Sequence, residues 1–206
     1  MSRRNVKIYV EGGGDQNKLR RECRRAFSKF FEKAGFKGKM PGIVACGGRQ
    51  KAYNDFRTAV RRASSEEMPF LLVDSEAAVS VSHKDRPWNH LKQRDRWDKP
   101  DNSTDEQAHL MVQVMESWFL ADPSVLRDFF GNDFRQNALP GNKNIEQIPK
   151  EEVLRSLKKA SGRTGKGEYG KGPHSFKILE KINPESVAAS SGWARRLLDE
   201  LKTALS

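Results

Sequence analysis

Apolar and polar positions alternate at the start of the chain, where Val6, Ile8 and Val10 interleave with Lys7 and Tyr9. A two-residue period marks a strand, expected here over residues 5–11. It runs into Glu11, three glycines (Gly12-Gly13-Gly14) and Asp15. The period then changes. Leu19, Cys23, Ala26, Phe27, Phe30, Phe31 and Ala34 recur every three or four residues, which predicts a helix over 15–35 with Gly35 as its stop. Residues 41–46 form a short second strand ended by Gly47-Gly48, and Ala52, Phe56, Ala59, Val60 and Ala63 mark a second helix over 49–64. Pro69 to Val73 is apolar without interruption, as a strand covered on both faces is. Strand, helix, strand, helix, strand in this order predicts a parallel sheet with right-handed crossovers.

The pattern breaks over 77–105, which is nearly all polar, with Trp88, Leu91 and Trp97 as its only large apolar anchors. A loop this long is usually functional or disordered. Strand character resumes from His109 to Met115. Asp122-Pro123 reads as a helix start, with proline at the first position and the helix over 123–130. Residues 131–149 read as loop and 151–160 as a short helix. Ser161 to Gly172 holds five glycines with Arg163, Lys166 and Lys171. It is either a flexible surface loop or a segment that closes over a phosphate. It is not a Walker loop, because Gly-Lys-Ser/Thr is missing at the required spacing. Helices are expected over 174–181 and 192–205, the last with a stripe of Ala194, Leu197, Leu198, Leu201 and Leu205. One domain is expected over 1–206, with its core at about 4–130 and a helical C-terminal extension at about 150–206.

Composition changes the picture by its charge. The 206 residues carry a formal net charge of +11, and only 36% are hydrophobic. Basic residues gather on the first helix (Lys18, Arg20, Arg21, Arg24, Arg25, Lys29, Lys33) and the second (Arg49, Lys51, Arg57, Arg61, Arg62). That clustering favours a nucleic acid over a merely solvated face or an acidic protein partner. No apolar run is long enough to span a membrane. Met1-Ser2-Arg3-Arg4 lacks the apolar stretch of a secretory leader. Cys23 and Cys46 are the only cysteines, which excludes a disulfide scaffold. A cytoplasmic location is expected.

Within this basic chain, acids stand where strands end: Glu11, Asp74, Glu76 and Glu116. Acids directly after a continuous apolar strand sit at the carboxyl edge of the sheet, where open α/β sheets bind ligands. Alternate strand residues point the same way, so Asp74 and Glu76 can aim at one ion. A hard cation such as Mg2+ relieves their repulsion. Asp15 is equally well read as a cap of the first helix, and Glu116 as the first-turn acid of a helix. The histidines have no metal-binding spacing, although His174 stands close enough to Lys171 to assist it.

Val10-Glu11-Gly12-Gly13-Gly14-Asp15 resembles the Val-Glu-Gly-x-x-Glu/Asp opening of the Toprim domain, and Asp74-Ser75-Glu76 its acidic second motif, usually Asp-x-Asp. Met115 to Asp122 (Met-Glu-Ser-Trp-Phe-Leu-Ala-Asp), then Tyr169-Gly170-Lys171 with His174, resemble a bacterial Toprim-like family of unassigned function and of about this length. The resemblance implies a Toprim-type α/β fold, with a mainly parallel sheet and helices on both faces. It also implies metal-dependent phosphodiester chemistry like that of the nucleases of overcoming-lysogenization-defect enzymes. Carried over by motif, Glu11 is a metal ligand or general base, and Asp74 and Glu76 hold Mg2+ or Mn2+. Asp15 and Glu116 are further ligands, and Lys171 neutralises charge on the phosphate. Glu76 departs from the usual Asp by one methylene, which favours ligation through water and leaves the number of ions open. Arg20, Arg24, Arg49, Arg163, Lys166 and Lys171 are the expected contacts to DNA or RNA. The family resemblance further implies an AAA or SMC-like ATPase encoded nearby, a role in antiviral defence, and the option of a homodimer. A topoisomerase or primase would need a transferable tyrosine in another domain or a templating module, and the chain shows neither. A non-catalytic module that binds nucleic acid or the ATPase is the alternative.

Overall fold

The computed structural model describes residues 4–206; Met1 to Arg3, part of the segment read for a leader, lie outside the described residues. Among the described residues four parallel strands form one sheet: β1 (Asn5–Glu11), β2 (Gly42–Gly47), β3 (Glu67–Asp74) and β4 (Ala108–Met111), in the order β2-β1-β3-β4. The alternation along β1 decides which face each residue takes. Val6, Ile8 and Val10 pack with Phe27, Phe30 and Phe31 of α1 (Asn17–Phe31), all within one core. Tyr9 lies on the other face with Ala52 and Phe56 of α2 (Arg49–Arg62). β3 is apolar from Met68 to Val73 because it feeds both cores, Phe70 and Leu72 one and Leu71 and Val73 the other.

Trp118 is the centre of the first core. It is fully buried, stacked on Phe30 at 5.1 Å between ring centres, in a tight turn over Met115–Ala121. α4 (Pro123–Phe130) follows with Pro123 at its first position, and Asp122 accepts from the Val125 N–H. The C-terminal helices α5 (Lys150–Ser161), α6 (Lys171–Leu179), α7 (Pro184–Ser190) and α8 (Gly192–Leu205) give Leu157, Ile178, Val187, Leu197 and Leu201 to the same core as α1. The expected extension is therefore packed onto the α1 side of the sheet.

Four expectations are corrected. The polar segment 77–105 contains a helix, α3 (Pro87–Asp95), which buries Trp88, His90 and Leu91. Pro87 opens it, and one narrow apolar stripe is enough to dock it on the α2 side, where Trp97 stacks on Tyr53 at 4.5 Å. The strand expected from His109 to Met115 stops at Met111. The glycine-rich segment is pinned rather than free: Tyr169 is buried, its N–H donates to Ser161 Oγ at 2.7 Å, and Lys171-Gly172 already belong to α6. α7, with Asn183 accepting from the Glu185 N–H and Pro184 opening it, lies where no helix was expected. The first helix does end at Gly35, whose φ of +93° breaks the helical path within a wider final turn over Glu32–Phe36.

Candidate metal centre

The chain leaves β1 for β2 on one side and returns to β3 on the other. The crevice between the carboxyl ends of β1 and β3 is thus the switch point at which such sheets bind ligands. Val10 pairs with Leu72, so Glu11 and Asp74 end neighbouring strands, and the Asp74 N–H donates to Glu11 Oε2 at 3.3 Å. Glu76 lies beyond the strand. It enters the site through a left-handed bend, φ +65°, fixed by its N–H donating to Gln113 O at 2.7 Å, not through strand alternation. One carboxylate oxygen each from Glu11, Asp74 and Glu76 lies within 4.8 Å of the others. The glycines let the loop close against the sheet. Gly47 has φ +87°, and a Cβ there would meet Gly14 O at 2.6 Å; one on Gly13 would meet the Arg20 backbone at 2.8 Å.

Two of the trio, Glu11 and Asp74, line a cleft of about 260 Å3 together with Gly12, Gly13, Gly14, Glu116 and Lys171, among others. Burial, with Glu11 and Glu116 nearby, pushes the Asp74 carboxyl well above its usual range against the opposing pull of Lys171. Burial also raises Glu11, although Arg49 works the other way. Partial burial opposes the charge of Lys171, but Glu116, Asp74 and Glu76 together hold it above the ordinary lysine range. Glu116 is 2% exposed, accepts from the Tyr169 hydroxyl at 2.9 Å, and faces Lys171 Nζ at 3.6 Å. On the other flank Glu76 pairs with Lys150 and, at 3.8 Å, with Arg94.

The donor set fits a hard divalent cation. Asp74, 7% exposed, uses Oδ1 to accept from the Met115 N–H at 2.8 Å; no hydrogen bond reaches its Oδ2 or Glu11 Oε1 among the described residues. Carboxylates crowded together, one buried and two half-buried, with lone pairs to spare are oxygen ligands of the kind Mg2+ and Mn2+ take.

The remaining residues fall into three groups. Lys171 and Glu116 line the cleft without belonging to the trio. Asp15 is outside it, its side chain fully exposed and 3.6 Å from Arg20. Arg20 Nε in turn donates to Gly14 O at 2.9 Å, so it braces the glycine loop. Arg49, expected on a phosphate, is only 14% exposed at its side chain and is held by Glu11, Asp95 and Asp74 O. Arg24 and Arg163 are exposed, and Lys166 lies over the Phe129 ring at 5.5 Å. His174 spends Nδ1 on the Gly170 N–H at 3.1 Å, and His90 bonds Ser75 O. Sequence reasoning missed Arg94, Asp95 and Lys150, and it gave Tyr169 a place in a motif but no role. Pro87 followed by Trp88 and Leu91 was the one available signal for the helix carrying the first two.

A parallel α/β sheet with helices on both faces, a helical C-terminal part and three converging carboxylates at its carboxyl edge defines the class of protein. The chain belongs to the family described as a domain of unknown function, DUF4276, whose model matches residues 10–202. Among solved structures it is similar to the C-terminal region of the Burkholderia pseudomallei OLD protein, at 13% identity and a TM-score of 0.53, with all of both chains covered. At that identity the likeness is one of fold, and it bears out the α/β architecture expected above. No curated protein matches the chain. No helix of the described residues is long and apolar enough to cross a membrane.

Proposed function

We propose that this protein is a divalent-cation-dependent phosphodiester hydrolase acting on nucleic acid. The observation that carries the reading is the meeting of Glu11, Asp74 and Glu76, distant in sequence, within 4.8 Å, with Glu11 and Asp74 lining a cleft. The Toprim resemblance and the likeness in fold to an OLD protein region support it. In this reading Glu11, Asp74 and Glu76 hold Mg2+ or Mn2+. When bound, the ion supplies positive charge to the attacking and leaving oxygens of an in-line displacement. Glu11 has one uncommitted oxygen, Oε1, so it serves either as a ligand of the ion or as the acceptor of a proton from water. Lys171 Nζ, at the cleft wall, offsets charge on the phosphate. The chain acts as one domain. Backbone contacts by exposed cations such as Arg24, Arg163 and Lys166 give affinity without base readout. An ATPase partner, a homodimer and a place in defence against phage belong to this reading through the resemblance alone.

The test incubates purified protein with plasmid, single-stranded DNA and total RNA in Mg2+ or Mn2+. Cleavage of at least one substrate, lost with chelator and in Glu11→Ala and Asp74→Ala, is expected. Full activity in either folded variant refutes the assignment. One observation favours the alternative of a non-catalytic binding module: Glu11, Glu76 and Glu116 each already face a basic side chain. Retention of nucleic acid without cleavage and without Mn2+ binding would decide for it.

A further inference from the structure

Asp95 sits outside the trio and outside the cleft lining, yet it connects both ends of the trio. It lies at the end of α3, in the segment whose composition read as loop. Its side chain is 10% exposed, and both of its oxygens are engaged. Arg49 grips it as a fork, Nε to Oδ1 at 2.9 Å and the second terminal nitrogen to Oδ2 at 2.6 Å. The other terminal nitrogen of Arg49 donates to Glu11 Oε2 at 3.1 Å and to the main-chain oxygen of Asp74. Arg94 also bonds Asp95 Oδ1 and comes within 3.8 Å of Glu76 Oε2. The result is a chain of alternating charge, Glu11–Arg49–Asp95–Arg94–Glu76, that starts and finishes in the trio.

We infer that Asp95 is a positioning residue, which through Arg49 and Arg94 fixes the spacing and charge of the Glu11 and Glu76 carboxylates for a divalent cation. The inference rests on the metal-centre reading above. Several features favour positioning over substrate contact. Arg49 has four of its five N–H groups committed, its guanidinium carbon lies 4.9 Å from the Trp97 ring centre, and Trp97 is itself fixed by donating to Gln50 Oε1 at 3.0 Å. A planar fork with two oxygens of one carboxylate holds direction as well as distance. Without the negative charge of Asp95, Arg49 and Arg94 would turn their full charge on Glu11 and Glu76 and compete with a cation there. Outer carboxylates that orient ligands commonly matter by one to two orders of magnitude in metal affinity.

The experiment titrates Mn2+ into wild type, Asp95→Asn and Asp98→Asn by calorimetry, with the paramagnetic resonance spectrum of the bound ion recorded in parallel. Asp98, an exposed acid three residues on that pairs with Lys92, is the control. Asp95→Asn is expected to weaken Mn2+ about tenfold or more and alter the spectrum, while Asp98→Asn behaves as wild type. A residue that only staples α3 to α2 would lower the melting temperature and leave both readouts unmoved in the folded protein, and that result overturns the inference. If Asp95→Asn is unfolded at the assay temperature, Asp95→Glu replaces it. The longer side chain keeps the charge but displaces the fork, and an affinity equal to wild type again overturns the inference. Wild type that binds no Mn2+ overturns the metal centre and this inference together, whereas wild-type binding with unaffected Asp95 variants overturns this inference alone.

Discussion

Two cavities open at opposite ends of the same sheet. At the amino edge, Asn5, Lys7, Tyr9, Glu67 and Pro69 with the end of α2 enclose about 370 Å3; at the carboxyl edge the cleft of the trio holds about 260 Å3. Size favours the first, and chemistry favours the second. At the amino edge Glu67 pairs with Lys7 at 3.7 Å and Asp55 with Lys51 at 2.6 Å, each acid with an exposed partner and itself a third or more exposed or close to it. Water screens such pairs, and they constrain little. At the carboxyl edge Glu11, Asp74 and Glu76 converge, Asp74 buried and the other two half-buried, and burial together with neighbouring acids raises the proton affinities of Glu11 and Asp74. Crowded charge out of water is kept only where something stabilises it, which makes it a better marker of a site than volume is.

Substitution at both edges gives the largest contrast. Glu11→Ala and Asp74→Ala should reduce cleavage to background with the fold intact, while Glu67→Ala and Asp55→Ala should leave it within about twofold, the measure of a screened surface pair. Equal losses at both edges would erase the distinction. Next in size, Lys171→Met should lower kcat about a hundredfold, as loss of a charge-stabilising group does, without weakening Mn2+ binding, because it removes a competing positive charge. A fall in Mn2+ affinity instead would give Lys171 a role in building the site.

The contrast extends to stability. Mn2+ at about a hundred times its dissociation constant should raise the melting temperature of wild type by about 5–10 °C, and should not do so in Asp74→Asn. Without metal, pH should separate the two proteins. Asp74 is raised above its ordinary 3.8 by burial and by Glu11 and Glu116, so the folded chain holds a proton that the unfolded chain has released. Its contribution to stability is full below the unfolded value and is lost as pH rises through the raised folded value. Metal-free Asp74→Asn should therefore melt above wild type near pH 8, and the gap should close toward pH 4. The smallest expected effect is at exposed cations: Arg163→Ala and Lys166→Ala should each lessen the salt dependence of nucleic-acid binding by about one unit of slope.

Much of this arrangement was legible in residue order. The alternation of Val6, Ile8 and Val10 and the continuous run from Phe70 to Val73 place β1 and β3, and strand ends carry Glu11 and Asp74 to the switch point whatever the rest of the chain does. The partners were not legible. Asp95 and Arg94 stand in a stretch so polar that only Trp88 and Leu91, behind Pro87, mark a helix. Lys150 reaches Glu76 from the start of α5, a contact that only tertiary packing creates. Tyr169 is buried against Glu116 from a segment whose glycines suggest freedom. Asp15 is the converse case. It has the right motif spacing, but the backbone turn leaves its side chain in solvent against Arg20.

The most direct test is anomalous diffraction from crystals soaked in Mn2+. A peak coordinated by Glu11, Asp74 and Glu76 at the carboxyl edge of the sheet is expected. A well-ordered trio without a peak, or a peak at the amino edge beside Asp55 and Glu67, would contradict it.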